Sequence, residues 1–531
     1  MAEPPGGGRP APTLYRSFLS VGGLTLASRI FGFVRDALMA AVLGTGPAAD
    51  AFYAAFRFPN LFRRLFAEGA FNTAFVPMFA GALERDGDER ALALAARIMA
   101  WLVLLLAMVT ILAELFMPWV MVPFVPGFVG DEAKFELTVL LTRILFPYLA
   151  CMSLMAAYAA ILNSLNRFVA AAFAPVILNL VSIAVLVPLV TVAVQEPETA
   201  AIWVAVATVT AGVAQLAVVW WALRRVRFVP RLEWPKFDPE VRRFWLLALP
   251  AVISGGITQI NIFIGTIIAS GAASAISYLY YADRLYQLPL GIIGIAIGTV
   301  LLPTLSSHLQ GGREAEAHDV QNQSLLVSML LSMPAATALI ALAVPIVRVL
   351  FERGAFDAVA TLETAAALVA FAVGLPAFVL IRVLQPGYFA RKDTATPTVF
   401  AAISVAVNVA LSLLLFPALE HTGIAIATSA SAWGNAIMLA VVLARRNHYR
   451  PSRDDLGRHG LILLISLGMA LGLFAASVPL AGLFSPGGPI LLQLGALTAL
   501  CLAGAAGYFA SIHFSGVQPL GTLLRRLKRG G

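Results

Sequence analysis

The residues able to do chemistry in this chain are charges set inside apolar stretches. Residues 16–81 carry Arg29, Arg35, Asp36, Asp50, Arg57, Arg63, Arg64 and Glu68 in segments otherwise rich in Leu, Phe, Ala and Val. A charge at the centre of a membrane span costs about 2.5–3.5 kcal/mol even on lenient insertion scales. So many such side chains cannot face lipid; they must face water or one another. Asp50, Arg57, Arg64 and Glu68 fall at i, i+7, i+14 and i+18, one face of a helix. Arg29, Gly32 and Asp36 share a second face. Arg64 and Glu68 also have the i, i+4 spacing of a local ion pair, and Arg57 or Arg64 can snorkel toward an interface. Arginines outnumber carboxylates in this hairpin. That excess suits an anionic ligand, because a guanidinium fork meets phosphate oxygens in bidentate fashion. Farther along, Asp283, Arg284, Arg382 and Arg143 also lie in apolar runs.

Other chemistries find no support. The 6 His residues lack metal-ligand spacing, and Cys151 and Cys501 form no CxxC pair. No Walker loop, GxSxG or HExxH occurs. No cofactor, resident metal or nucleic-acid partner is expected, and a transporter fits better than an enzyme. A membrane enzyme acting on polyprenyl phosphates would need a carboxylate cluster for metal and diphosphate, which the sequence does not offer.

The elements that hold these charges follow from composition. Of 531 residues, 60% are apolar and 12% charged, against about 25% charged in an ordinary soluble domain. Mean hydropathy is +0.87. So few charges cannot cover a soluble exterior; the chain reads as an all-α polytopic membrane protein. About fourteen runs are long enough to span a bilayer as helices: 16–43, 48–81, 94–121, 136–160, 168–194, 200–223, 243–270, 275–306, 322–350, 362–389, 396–416, 423–444, 460–482 and 488–512. Residues 1–14 are Pro/Gly-rich and read as a flexible cytoplasmic tail without signal-peptide order.

Lys and Arg gather in loops after even-numbered runs, as at Arg224, Arg225, Arg227, Arg231 and Lys236, or Arg445, Arg446 and Arg450. The loops after odd-numbered runs are nearly bare of them, Arg353 being the main exception. Both termini are therefore expected to be cytoplasmic. The basic loops also attract anionic membrane lipids.

Two stretches match at a shift of 226 residues: Thr73-Ala74-Phe75-Val76-Pro77 falls on Thr299-Val300-Leu301-Leu302-Pro303, and Ala70 on Ala296. Six runs separate the copies, so they share one orientation. The expectation is two six-helix lobes in parallel repeat around a central cavity, 15–232 and 233–447. Two extra helices and a basic tail follow in 448–531.

Several motifs carry a resemblance. Ser28-Arg29-Ile30-Phe31-Gly32-Phe33-Val34-Arg35-Asp36, Asp50-Ala51-Phe52, Phe58-Pro59-Asn60-Leu61-Phe62-Arg63-Arg64 and Tyr280-Tyr281-Ala282-Asp283-Arg284-Leu285 resemble those of the MurJ (MviN) lipid II flippases. The likeness runs from about residue 15 to 515. It implies a member of the multidrug/oligosaccharidyl-lipid/polysaccharide exporter superfamily with fourteen helices. The family moves undecaprenyl-diphosphate-linked peptidoglycan precursor from the cytoplasmic to the outer leaflet of the bacterial plasma membrane by alternating access. Its functional positions carry over to Arg29, Arg35, Asp50, Arg63 and Arg284, with a basic residue usual at Arg382. Gln287 departs from the glutamate of some members, and the carboxylates of a proposed sodium site are missing here. The last two helices are thought to form a groove for the polyprenyl tail.

On this reading Arg29, Arg35, Arg63 and Arg284 bind the diphosphate. Asp50 orients one of them or is released by the ligand, and Asp36, Arg64, Glu68, Asp283, Gln287 and Arg382 form a second tier. The protein is expected to act as a monomer, with the cell-wall synthesis machinery as a potential partner. The alternatives are a flippase for another polyprenyl-diphosphate glycan, such as an O-antigen unit, and a multidrug antiporter. The antiporter is disfavoured because its cavity would favour acids.

Overall fold

The computed structural model describes residues 14–64, 72–191, 196–231, 233–449, 452–485 and 487–517. The tail 1–13 and Glu68 lie outside the described residues. The described chain is helical throughout, without strands. The helices are α1 Leu14–Leu43, α2 Pro47–Arg63, α3 Asn72–Phe124, α4 Glu132–Leu145, α5 Pro147–Ser164, α6 Val169–Thr191, α7 Pro197–Arg225 and α8 Pro239–Ala269. Then come α9 Ala275–Gln310, α10 Glu314–Ala341, α11 Ala343–Phe351, α12 Ala358–Phe389, α13 Ala395–Arg445, α14 Arg453–Ser477 and α15 Ile490–Phe514.

Two helices are longer than any single span requires. α3 turns at Gly87 (φ 81°), within the charged stretch 84–90, and α13 turns at Glu420 (φ 44°). At each place one residue of positive φ kinks the chain and helical bonding resumes at once. Gly423 makes the second turn compact, since a Cβ there would come within 2.9 Å of the Leu415 carbonyl. Among the described residues, nine helices are long and apolar enough to cross a membrane. Their outer faces expose large apolar side chains such as Leu115, Trp119, Leu414 and Leu491, as lipid contact demands. Inside, Ala49, Ala51, Ala54 and Ala55 of α2 are fully buried. Small side chains let backbones approach closely where no hydrophobic force drives helices together.

Packing divides the chain into two units. The first holds residues to Leu43 and Pro47–Phe263, the second Gly44–Gly46 and the chain from Ile264 onward. Most of α8 thus groups with the first unit, whereas the sequence drew a lobe boundary at 232/233. The reason is local. Arg97 of α3 holds Asp238 at 2.5 Å and Glu240 at 3.0 Å, and Phe124 packs on Phe263 at 4.5 Å.

The repeat is visible in the backbone. Asp131 caps α4 by accepting from the Lys134 amide, and Asp357 caps α12 by accepting from the Ala360 amide. Asn166 and Lys392 are both left-handed (φ 58° and 62°). After them, Arg167 N–H donates to Leu162 O and Asp393 N–H to Tyr388 O. Each pair is separated by the same 226 residues, as are the ends of α1 at Leu43 and α8 at Ala269.

Within the second unit, α14 and α15 pack against α10. Ile462, Tyr508 and Ile512 join Leu326 and Leu330 of α10 in one cluster, and the Tyr508 hydroxyl donates to Leu330 O at 2.9 Å. Arg353, the basic exception in the loop pattern, is half-buried and donates to Gln493 Oε1 of α15 at 2.8 Å. It serves as a structural tie.

Candidate functional site

In the first unit, α1 and α6 position Arg35. Its Nη2 and Nε donate to Asp36 Oδ1 at 2.7 and 3.1 Å, and its Nη1 donates to Asn179 Oδ1 at 3.0 Å. Asn179 in turn donates to Ser28 O at 2.8 Å. Gly32 leaves room for it: a Cβ there would lie 3.4 Å from Asn179 Nδ2. The guanidinium is therefore oriented from two helices, and its charge is balanced by a carboxylate that is nearly buried. Asn179 escaped the sequence reading.

Asp50 of α2 is fully buried and meets Lys134 Nζ of α4 at 2.8 Å. The ammonium lies 3.9 Å from the Phe128 ring centroid. By sequence Lys134 falls between the apolar runs 94–121 and 136–160. The structure buries it instead, because its aliphatic stem can run along apolar neighbours while its head finds a carboxylate. Arg63 Nε donates to Asn60 Oδ1 at 2.8 Å. Arg57 is half-buried and Arg64 exposed. Arg29 is half-buried on α1, with no ion-pair or hydrogen-bond partner among the described residues.

In the second unit, Arg284 of α9 donates to the Tyr280 hydroxyl at 2.8 Å and lies over that ring at 4.8 Å. One turn along, Gln287 Nε2 donates to Asp283 Oδ2. The amide supplies a donor that a glutamate in its ionised form could not, so this chain's departure at Gln287 leaves Asp283 satisfied. The buried Tyr286 ring packs on Phe371 and Phe378 of α12, with centroids 5.1 and 5.9 Å away. Arg382 reaches across Gly294, where a Cβ would sit 2.5 Å from its Nη1. The structure thus pairs Asp283 with Gln287 and lays Arg382 against α9 at Gly294, with Arg284 turned to Tyr280.

Between α14 and α15 runs a groove of about 460 Å³, lined by Gly468, Gly472, Gly504, Gly507, Met469 and Tyr508 among others. Glycines at i, i+4 keep its floor low. Its lining is apolar and suits a hydrocarbon chain.

Outside the spans, two carboxylates anchor connecting segments. Burial opposes the charge of Asp238, but the Val241 N–H and the Arg97 guanidinium outweigh it and hold its carboxyl below the usual range. The Thr396 hydroxyl and amide, then Arg446, lower Asp393 to about 2.

Residues 39–485 match the family described as lipid II flippase MurJ. A protein of Rhizobium tropici named probable lipid II flippase MurJ is 48% identical over 522 residues, 97% of each chain. A solved structure titled lipid II flippase MurJ, inward closed conformation, shares the fold with TM-score 0.77 at 24% identity, covering 93% of this chain and 98% of its own. A solved structure titled inward-facing conformation of a multidrug resistance MATE family transporter of the MOP superfamily also shares the fold, with TM-score 0.66 at 15% identity over 81% of this chain and 97% of its own. The arginine-bearing hairpin, the helical repeat and these matches lead to one conclusion: the chain belongs to the MurJ family of lipid II flippases.

Proposed function

We infer that this multi-pass membrane protein is a transporter that carries lipid II, the lipid-linked peptidoglycan precursor, from the cytoplasmic to the outer leaflet. The observation that carries this reading is the arginine-rich first hairpin in a chain of this family. Arg35 is fixed by Asp36 and Asn179 with its fork constrained from two helices, a preorganised donor set for a diphosphate. Arg29, Arg63 and Arg284 are the further proposed diphosphate ligands, and Arg382 and Asp283 stand behind Arg284. Asp50, tied to Lys134, is proposed to position α2. The groove between α14 and α15 is proposed to take the polyprenyl tail. The family relationship favours lipid II over other polyprenyl-diphosphate glycans.

The proposed location is the bacterial inner membrane with both termini cytoplasmic. Labelling of a cysteine placed at position 198 before the membrane is permeabilised supports that orientation; labelling only afterwards reverses it. Depletion of the protein tests the function. Lipid II should accumulate in the inner leaflet, and accumulation of a different lipid-linked glycan would refute the assignment.

A further inference from the structure

A second groove lies within the second unit, apart from the one proposed for the polyprenyl tail. It holds about 560 Å³ between α10–α11, the first turns of α12 and the end of α14, well inside the range of about 300–1,000 Å³ typical of ligand pockets. On α14 its lining residues Phe474, Ser477 and Val478 share one helical face. Gly468, Gly472 and Ala476, which line the tail groove, fall on the opposite face. The body of α14 therefore separates the two grooves.

The second groove is apolar in depth and cationic at one end. Ile340 and Val344 wall it from α10 and α11, and Leu362, Ala366 and Val369 from α12. Among the described residues lining it, Arg348 alone is charged. Arg348 stands in the last turn of α11, which ends at Phe351, while α14 ends at Ser477 and α12 begins at Ala358. The cation thus sits at the level where these helices end. Ile340 lies about 12 Å farther in, counting 1.5 Å per residue through α10 and α11. At the rim Leu362, Phe474 and Val478 are exposed, as lipid-facing residues are.

The guanidinium is only half committed. Its Nε donates to Glu352 Oε2 at 2.9 Å, and the Thr361 hydroxyl donates to the same oxygen at 2.7 Å. Glu352 is nearly buried, so this contact fixes the plane of the guanidinium. Neither Nη of Arg348 has a hydrogen-bond acceptor among the described residues. The paired Nη edge is the part of the fork that meets phosphate oxygens in bidentate fashion. An open donor edge at the helix ends, above apolar walls, is complementary to a molecule that joins a phosphate to a hydrocarbon chain. The surrounding membrane supplies such a molecule as diacyl phospholipid.

We propose that this groove is a phospholipid-binding site, with the phosphodiester on the Nη edge of Arg348 and one acyl chain running inward between α12 and α14. On the orientation proposed above, the groove opens to the outer leaflet.

The test uses the full-length protein in liposomes that contain a phosphatidylglycerol with a photoreactive diazirine in one acyl chain. After irradiation, mass spectrometry of peptides should place adducts on the groove walls, within 340–345, 362–369 or 474–478. A diacylglycerol with the same chain lacks the phosphate and should label the walls about 10-fold less, as loss of a charged hydrogen-bond partner implies. Arg348→Gln should lower phosphatidylglycerol labelling by a similar factor, and Arg348→Lys, which keeps the charge without the fork, should be intermediate. Ala366→Phe fills the groove from an exposed position and leaves the Arg348–Glu352 pair intact. It should lose the adducts while melting as the wild type does. Adducts spread evenly over the lipid-facing helices, equal labelling by the diacylglycerol, or undiminished labelling in Arg348→Gln or in Ala366→Phe overturns the proposal.

Discussion

Asp50 of α2 and Lys134 of α4 form an ion pair at 2.8 Å, with the carboxylate fully buried and the ammonium 9% exposed. The pair joins two helices that are 84 residues apart in sequence. Removing one partner of a buried pair leaves an uncompensated charge and costs about 3–5 kcal/mol. Lys134→Ala should therefore lower the melting temperature in detergent and the amount of protein in membranes. The neutral pair Asp50→Asn with Lys134→Gln should recover much of the loss. A Lys134→Ala variant that melts like the wild type would remove Asp50 from the positioning role assigned to it.

The α14–α15 groove gives a prediction about chain length. Gly468 and Gly472 line it and have open space where a side chain would go. Gly472→Leu should be accommodated without collapse and should fill the groove. Affinity for a long polyprenyl diphosphate should fall, while affinity for a short-chain analogue stays near that of the wild type. Equal losses for both would place the tail elsewhere.

Asp393 links the α12–α13 connection to Arg446 at 2.6 Å. The Thr396 hydroxyl and amide, assisted by Arg446, lower its carboxyl from 3.8 to about 2. A depressed carboxyl adds stability above its unfolded value and loses it as the pH falls through the folded one. Melting temperature should thus drop between pH 4 and 2 in part through this group, and Asp393→Asn should flatten that portion of the profile. Identical acid profiles for variant and wild type would contradict the assignment.

Much of the fold was legible because bilayer thickness imposes one length on every span. The break between runs at 81 and 94 is the turn at Gly87, and the break between 416 and 423 is the turn at Glu420. What hydropathy could not show is that each turn consumes a single residue of positive φ inside an otherwise continuous helix. The 226-residue shift was readable from a few matched residues and reappears in caps and left-handed positions such as Asp131 and Asp357. The site was legible as a set of costly charges but not as a set of partners. Asn179 sits 144 residues from Arg35, and no periodicity links them. Lys134 lay at the edge of an apolar run, where residue type alone assigned it to a loop.

Arg29, Arg35, Arg63 and Arg284 should each impair function when replaced by alanine, while membrane levels stay normal. A lost charged hydrogen-bond partner costs roughly 1.5–3 kcal/mol, or about 10- to 150-fold in affinity. Lysine keeps the charge but not the fork, so it should be intermediate at Arg35, whose geometry is fixed by Asp36 and Asn179. Growth complementation alongside quantified protein levels measures this. Full complementation by all four alanine variants would make these arginines structural.

The most direct measurement of the central claim uses purified protein in liposomes holding fluorescently labelled lipid II. Access of an impermeant quencher to lipid II from the inner leaflet is followed over time. The wild type should bring inner-leaflet lipid II to the outer surface, and the Arg35→Ala and Arg284→Ala variants should do so much more slowly. Movement at the same rate with and without the protein, or by the alanine variants as fast as by the wild type, would contradict the account.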